Sequence, residues 1–91
     1  MSNPRILVVD DSSLARRTLR KILEGAGYEV EEALDGPQAL ERYFLKPHDV
    51  VLLDIVMEHM DGLDVLTKFR ELNPNVRVII ATADIQSSTR D

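Results

Sequence analysis

The sequence contains no cysteine, which excludes disulfide frameworks, thiolate metal sites and cysteine nucleophiles together. It has no apolar stretch near the ~20 residues needed to span a bilayer. Behind Met1-Ser2-Asn3-Pro4-Arg5 there is one positive charge and no apolar signal region. The expectation is a cytoplasmic chain with no membrane partner. Basic residues are not in excess either: eleven Lys+Arg against sixteen Asp+Glu leave a formal net charge of −5. A general nucleic-acid binder wants a basic face, so no nucleic-acid partner is expected. Low-complexity runs and internal repeats are also missing. What remains is 91 residues, 44% hydrophobic and 30% charged. That is an ordinary composition for one globular domain, at the small end of what a single core can stabilise.

The apolar residues come in two periodicities. Ile6-Leu7-Val8-Val9 and Val50-Val51-Leu52-Leu53 are continuous, β-branched-rich runs that suit strands buried on both faces. Val76 to Ala81 reads as a fourth strand of the same kind. Tyr28 to Ala33 alternates imperfectly and reads as a strand at a sheet edge with one wetter face. Between these runs the period changes. Ala15, Leu19, Ile22, Leu23 and Ala26 share one helical face, with Ser12 or Ser13 as the cap and Gly25 or Gly27 closing the helix. Asp35-Gly36-Pro37-Gln38 starts a second helix, with Asp35 as N-cap, Gln38 as capping-box partner and Ala39, Leu40, Tyr43 and Phe44 as its buried stripe. After a loop over Ile55 to Asp61, Gly62 opens a third helix with Leu63, Leu66, Phe69 and Leu72 turned inward, stopped by Asn73-Pro74-Asn75. Asp84 to Asp91 resembles another helix start. Strands alternating with helices imply right-handed crossovers and a parallel sheet with helices on both faces.

Chemistry in such sheets gathers at the carboxyl ends of the strands. Asp10-Asp11, Asp54 and Thr82 each stand where an apolar strand runs out. A single aspartate there is usually a cap, and Asp10 or Asp11 is expected to do some capping. If the first and third strands are neighbours, however, Asp10, Asp11 and Asp54 converge. Three carboxylates repel one another, and a hard divalent cation with oxygen ligands relieves the repulsion; Mg²⁺ is the usual choice where phosphate is handled. Asp54 could then act as a nucleophile that forms an acyl phosphate, with Thr82 donating a hydroxyl to a phosphoryl oxygen.

These segments resemble the receiver domain of bacterial response regulators, the phosphoacceptor half of two-component signalling. The resemblance is carried by Ile6-Leu7-Val8-Val9-Asp10-Asp11-Ser12, Val51-Leu52-Leu53-Asp54-Ile55-Val56-Met57, Met60-Asp61-Gly62-Leu63 and Ala81-Thr82-Ala83, in family order across the whole chain. It implies an α/β, flavodoxin-like doubly wound parallel sheet, here cut to four strands in the order 2-1-3-4. It implies a phosphoacceptor, Asp54, supplied by the phosphohistidine of a sensor histidine kinase. Asp10, Asp11, Asp54 and the backbone carbonyl of Val56 would hold Mg²⁺, and Thr82 would be the switch hydroxyl beside a small Ala83. The chain would be a signalling module and not an enzyme.

Two departures stand out. Glu58 occupies the position after Met57 where the family usually has proline, and it is expected to face solvent. The family continues to a fifth strand ending in a lysine and a fifth helix, which residues 1–91 do not include; Lys21, Lys46 and Lys68 all fall in helices. The fourth strand is then expected to leave a bare apolar edge that a second copy of the chain covers. The alternative function is an interaction or self-assembly module, derived from a receiver domain and incompetent for phosphorylation. A hydrolase with an aspartyl-phosphate nucleophile is disfavoured, because those enzymes place a second aspartate where Val56 stands. Arg16, Arg17, Arg20 and Lys21 form a basic stripe on the first helix. It reads as a solvated face or, by resemblance, a kinase-docking face. His48 and His59 are isolated in sequence and are expected at the surface. Met57 and Met60 are expected to pack within their loop.

Overall fold

The computed structural model describes residues 3–57 and 60–81. Thr82, Ala83, Glu58, His59 and the 84–91 segment lie outside the described residues, so the expectations placed on them concern sequence alone. The elements run β1 (Arg5–Val9), α1 (Ser13–Gly25), β2 (Glu29–Ala33), α2 (Gly36–Leu45), β3 (Val50–Asp54), β4 (Val56–Met57), β5 (Met60–Asp61), α3 (Gly62–Leu72) and β6 (Val78–Ala81). The main sheet has the order β2-β1-β3-β6. All three of its pairings are parallel. With β6 as the fourth long strand, this is the expected 2-1-3-4 order and a flavodoxin-like α/β fold.

The two apolar runs become the two central strands. In β1, Leu7 and Val9 face one side with Val51 and Leu53 of β3, and there they meet Ala39 and Tyr43 of α2 and Val65 and Phe69 of α3. Ile6, Val8 and Val30 face the other side, against Leu19 and Leu23 of α1. Helices therefore cover both faces, but unequally: α1 contributes no fully buried residue. A strand that must be apolar on both faces is what a continuous run such as Ile6–Val9 encodes.

The caps are local and explicit. Ser12 Oγ accepts from the Ala15 amide at 3.2 Å, so Ser12 and not Ser13 caps α1. At the far end the Gly27 amide donates to the Glu24 carbonyl and the Tyr28 amide to the Leu23 carbonyl, at 3.0 Å each. This Schellman pattern needs a left-handed residue, and Gly27 supplies it with φ +96°. Asp35 Oδ1 accepts from the Gln38 amide at 2.8 Å. Gln38 Oε1 returns the bond to the amide of Leu34, one residue earlier than the capping-box pattern specifies.

The helix phases differ from the expected stripes at their borders. Phe44 is 72% exposed. In α3, Gly62, Val65 and Phe69 are buried while Leu63 and Leu72 lie largely in solvent. A short antiparallel ladder, Val56 with Asp61 and Met57 with Met60, organises the segment read from sequence as a plain loop. Among the described residues no strand pairs with the outer side of β6, and Ile79 there is 55% exposed. No helix among the described residues is long and apolar enough to cross a membrane.

Candidate functional site

Parallel register builds the site. β1 pairs with β3 so that Val9 lies opposite Leu53. The next residues, Asp10 and Asp54, therefore emerge side by side at the carboxyl end, where neighbouring strands are about 4.8 Å apart. Asp10, Asp11 and Asp54 each place one carboxylate oxygen within 4.8 Å of the others. Asp54 is buried at 7% exposure, Asp10 is half-buried and Asp11 is exposed. Burying a carboxylate among other carboxylates is unfavourable unless a compensating partner is present. An all-oxygen donor set of this charge fits a hard divalent cation of the Mg²⁺ class.

The arrangement is held from behind. Asp10 Oδ1 accepts from the Ser12 amide at 2.9 Å, and the Asp10 amide donates to the Ala33 carbonyl at 3.1 Å. Asp10 thus performs the turn work expected of it and still contributes to the cluster. Arg16 reaches back from α1: its Nη1 donates to the Asp10 carbonyl at 2.6 Å and its Nε to Glu32 Oε1 at 3.0 Å. Arg20 binds the other oxygen of Glu32 and also Glu24. The bond from Arg20, then that from Arg16, holds the Glu32 carboxyl below its usual range against the opposing effect of burial. Half of the basic stripe is therefore committed to the β1–β2 edge, while Arg17 and Lys21 stay exposed. Arg16→Gln should cost about 1 kcal/mol in urea unfolding, since it takes a charged donor from the Asp10 carbonyl and from a half-buried Glu32 carboxylate that keeps Arg20. Arg17→Gln should stay within about 0.5 kcal/mol.

On the other side, β3 runs into Ile55, and α3 begins directly against it. A Cβ added to Gly62 would lie 2.7 Å from Ile55 Cβ and closer still to its Cα. Only glycine admits this approach. Asp61 caps the same helix, accepting from the Leu63 amide at 3.0 Å. Val56 opens β4 opposite Asp61, so the expected carbonyl ligand sits two residues past the buried acid in an ordered ladder. The structure brings together Asp10, Asp11 and Asp54; Thr82 lies outside the described residues.

His48 corrects a sequence expectation. Its side chain is fully buried, with Nε2 2.7 Å from Glu31 Oε1 and the ring stacked on Tyr43. Desolvation pushes the imidazole below its ordinary value of 6.5, despite the pull of Glu31. Its Nδ1 has no partner among the described residues, which suits the neutral tautomer that donates from Nε2. For Glu31, burial acts upward, but the His48 hydrogen bond with Arg42 and Arg5 outweighs it and leaves the carboxyl below its usual value. Both shifts have the same consequence. The unfolded chain takes up protons more readily, so stability should decline as pH falls below about 6.5 and further below about 4.5. Urea midpoints between pH 7.5 and 5.5 should drift down in the parent chain and flatten in His48→Gln. The signal available in the sequence was Glu31 itself, a charge at a core-facing register position opposite Leu7. A cavity of about 660 Å³ lies beside His48, Tyr43 and Arg77 at the amino end of the sheet, away from the acid cluster.

A family model described as the response regulator receiver domain matches residues 6–91. The chemotaxis protein CheY of Thermotoga maritima is 42% identical over 81 residues, 87% of this chain and 67% of that protein. A CheY-like receiver domain protein from Methanospirillum hungatei JF-1 superposes with a TM-score of 0.85 at 33% identity, covering 97% of this chain and 72% of the other. The response regulator TrrA of Thermotoga maritima, solved with Mg²⁺–BeF, matches with a TM-score of 0.83 at 38% identity, over 91% and 70% of the two chains. The same regulator has been solved in complex with the histidine kinase ThkA. The chain belongs to the response regulator receiver domain family, whose members are signalling modules. It spans about two thirds or less of the curated relatives it matches.

Proposed function

We propose that this chain is the phosphoacceptor of a two-component pathway, taking a phosphoryl group on Asp54 from the phosphohistidine of a sensor histidine kinase. The convergence of Asp10, Asp11 and Asp54 within 4.8 Å carries the reading. An Asp54 carboxylate oxygen attacks phosphorus, the bond to the histidine nitrogen breaks, and the imidazole leaves with the electron pair. Asp10, Asp11, Asp54 and the Val56 carbonyl would hold Mg²⁺, which supplies neutralisation of charge on the phosphoryl oxygens. The buried setting of Asp54 limits water, and Arg16 fixes the loop that carries the other two acids. Thr82 supplies the switch hydroxyl. The kinase docks on α1, where Arg17, Arg20 and Lys21 are exposed, Arg20 being engaged with Glu24 and Glu32. The acceptor works in the cytoplasm, and copies of this 91-residue chain self-associate along the outer side of β6, where Ile79 and Ile80 are exposed.

The test is covalent. Acetyl phosphate with Mg²⁺ should add one phosphoryl group per chain, seen by intact mass and lost in Asp54→Asn. Persistent failure to label, with beryllofluoride also leaving the spectrum of the chain unchanged, would favour the interaction-module reading. Sedimentation showing only monomer at all concentrations would remove the self-association.

A further inference from the structure

On the outer surface of the α2–α3 layer, Leu40 and Phe44 of one helix and Leu72 of the other wall a groove of about 450 Å³. Past Phe44 and Leu72 a second hollow of about 290 Å³ continues toward Pro47. The two side chains form a ridge between the hollows. Leu45, beside Phe44, is 73% exposed. None of this belongs to the acid cluster, which lies at the strand ends.

The charges on the rim select the occupant. Glu41 and Glu71 line the groove; neither makes a close ion pair among the described residues, and Glu71 feels only the longer-range attraction of Lys68 one turn back. Lys68, the only cation among the lining residues, is committed, with Nζ 2.7 Å from Asp64 one turn back on α3. A two-fold pairing of copies through this patch would bring the acidic rim of one copy, Glu41 and Glu71, toward the same acidic rim of the other. A negatively charged membrane surface would meet the same repulsion. A helix with an apolar stripe and flanking cations meets both the hollows and the carboxylates. We propose that the α2–α3 groove docks a basic amphipathic helix of another protein, one apolar side chain in each hollow and lysine or arginine opposite Glu41 and Glu71.

Two synthetic helical peptides with one shared leucine stripe, flanked by lysine in one and glutamate in the other, test this against the ¹⁵N-labelled chain. The lysine peptide should produce saturable shifts centred on Leu40, Phe44 and Leu72, and the glutamate peptide should bind about tenfold or more weakly. Phe44→Ala, which removes a solvent-exposed side chain and spares the core, should weaken the lysine peptide about tenfold. Glu41→Gln with Glu71→Gln should weaken it and remove most of its salt dependence. Equal affinity of the two peptides overturns the proposal. So do indifference to the glutamine pair, shifts centred on Asp10 and Asp11, or no saturable shift. A dimer seen by sedimentation and broken by Phe44→Ala would place a second copy in the groove and overturn it as well.

Discussion

Replacing Gly62 with alanine is expected to remove about 3 kcal/mol of stability and to damage the acid cluster at the same time. The new Cβ would sit 2.7 Å from Ile55 Cβ and nearer still to its backbone. A flexible side-chain end could swing away from such an intrusion, but a Cα cannot. Either the first turn of α3 retreats, which opens the core around Val65 and Phe69, or Ile55 moves and takes Asp54 with it. Urea unfolding and Mg²⁺ titration of the same variant should both show losses. Gly25→Ala is the control: nothing among the described residues lies within 4 Å of its added Cβ, so it should be neutral or slightly stabilising. Equal stability of both variants would show that α3 does not press on Ile55.

The second large effect is ionic. Mg²⁺ should raise the melting temperature of the parent chain, because an ion that binds only the folded state adds about 1.4 kcal/mol for each tenfold excess over its dissociation constant. Asp54→Asn should abolish that rise. In a chelating buffer the same variant should be at least as stable as the parent, since the amide relieves repulsion among three acids within 4.8 Å of one another. A site kept for function at the expense of stability shows this signature. Thermal melts with and without Mg²⁺ separate the two effects. An undiminished Mg²⁺ response in Asp54→Asn would place the ion elsewhere.

The sheet was legible because each buried strand repeats one message at every position. Ile6–Val9 and Val50–Leu53 are apolar on both faces, and only a parallel interior strand uses both. The acid cluster was legible because strand ends in such a sheet share one edge. Helix phase was less so. Phe44, Leu63 and Leu72 lie at the borders of their stripes, where a rotation of a few tens of degrees decides between core and water, and periodicity alone does not fix it. His48 was misjudged because its burial depends on Tyr43 and on Glu31 of a different strand, partners that only tertiary structure supplies. The basic stripe of α1 was half misjudged for the same reason: Arg16 and Arg20 answer to Glu32, a residue of β2.

The two margins of the sheet are built on opposite plans. β2 carries Glu29, Glu31 and Glu32, and Arg5, Arg16, Arg20 and Arg42 lie across them. Such a margin discourages an incoming strand, which would have to displace paired charges. β6 presents Ile79 and Ile80, and among the described residues no strand pairs with its outer side. Lateral strand addition is therefore disfavoured at the β2 margin. If copies pair β6 to β6 as proposed, each end of the pair would carry a charged β2 margin, and the assembly would stop at two chains without growing into a ribbon.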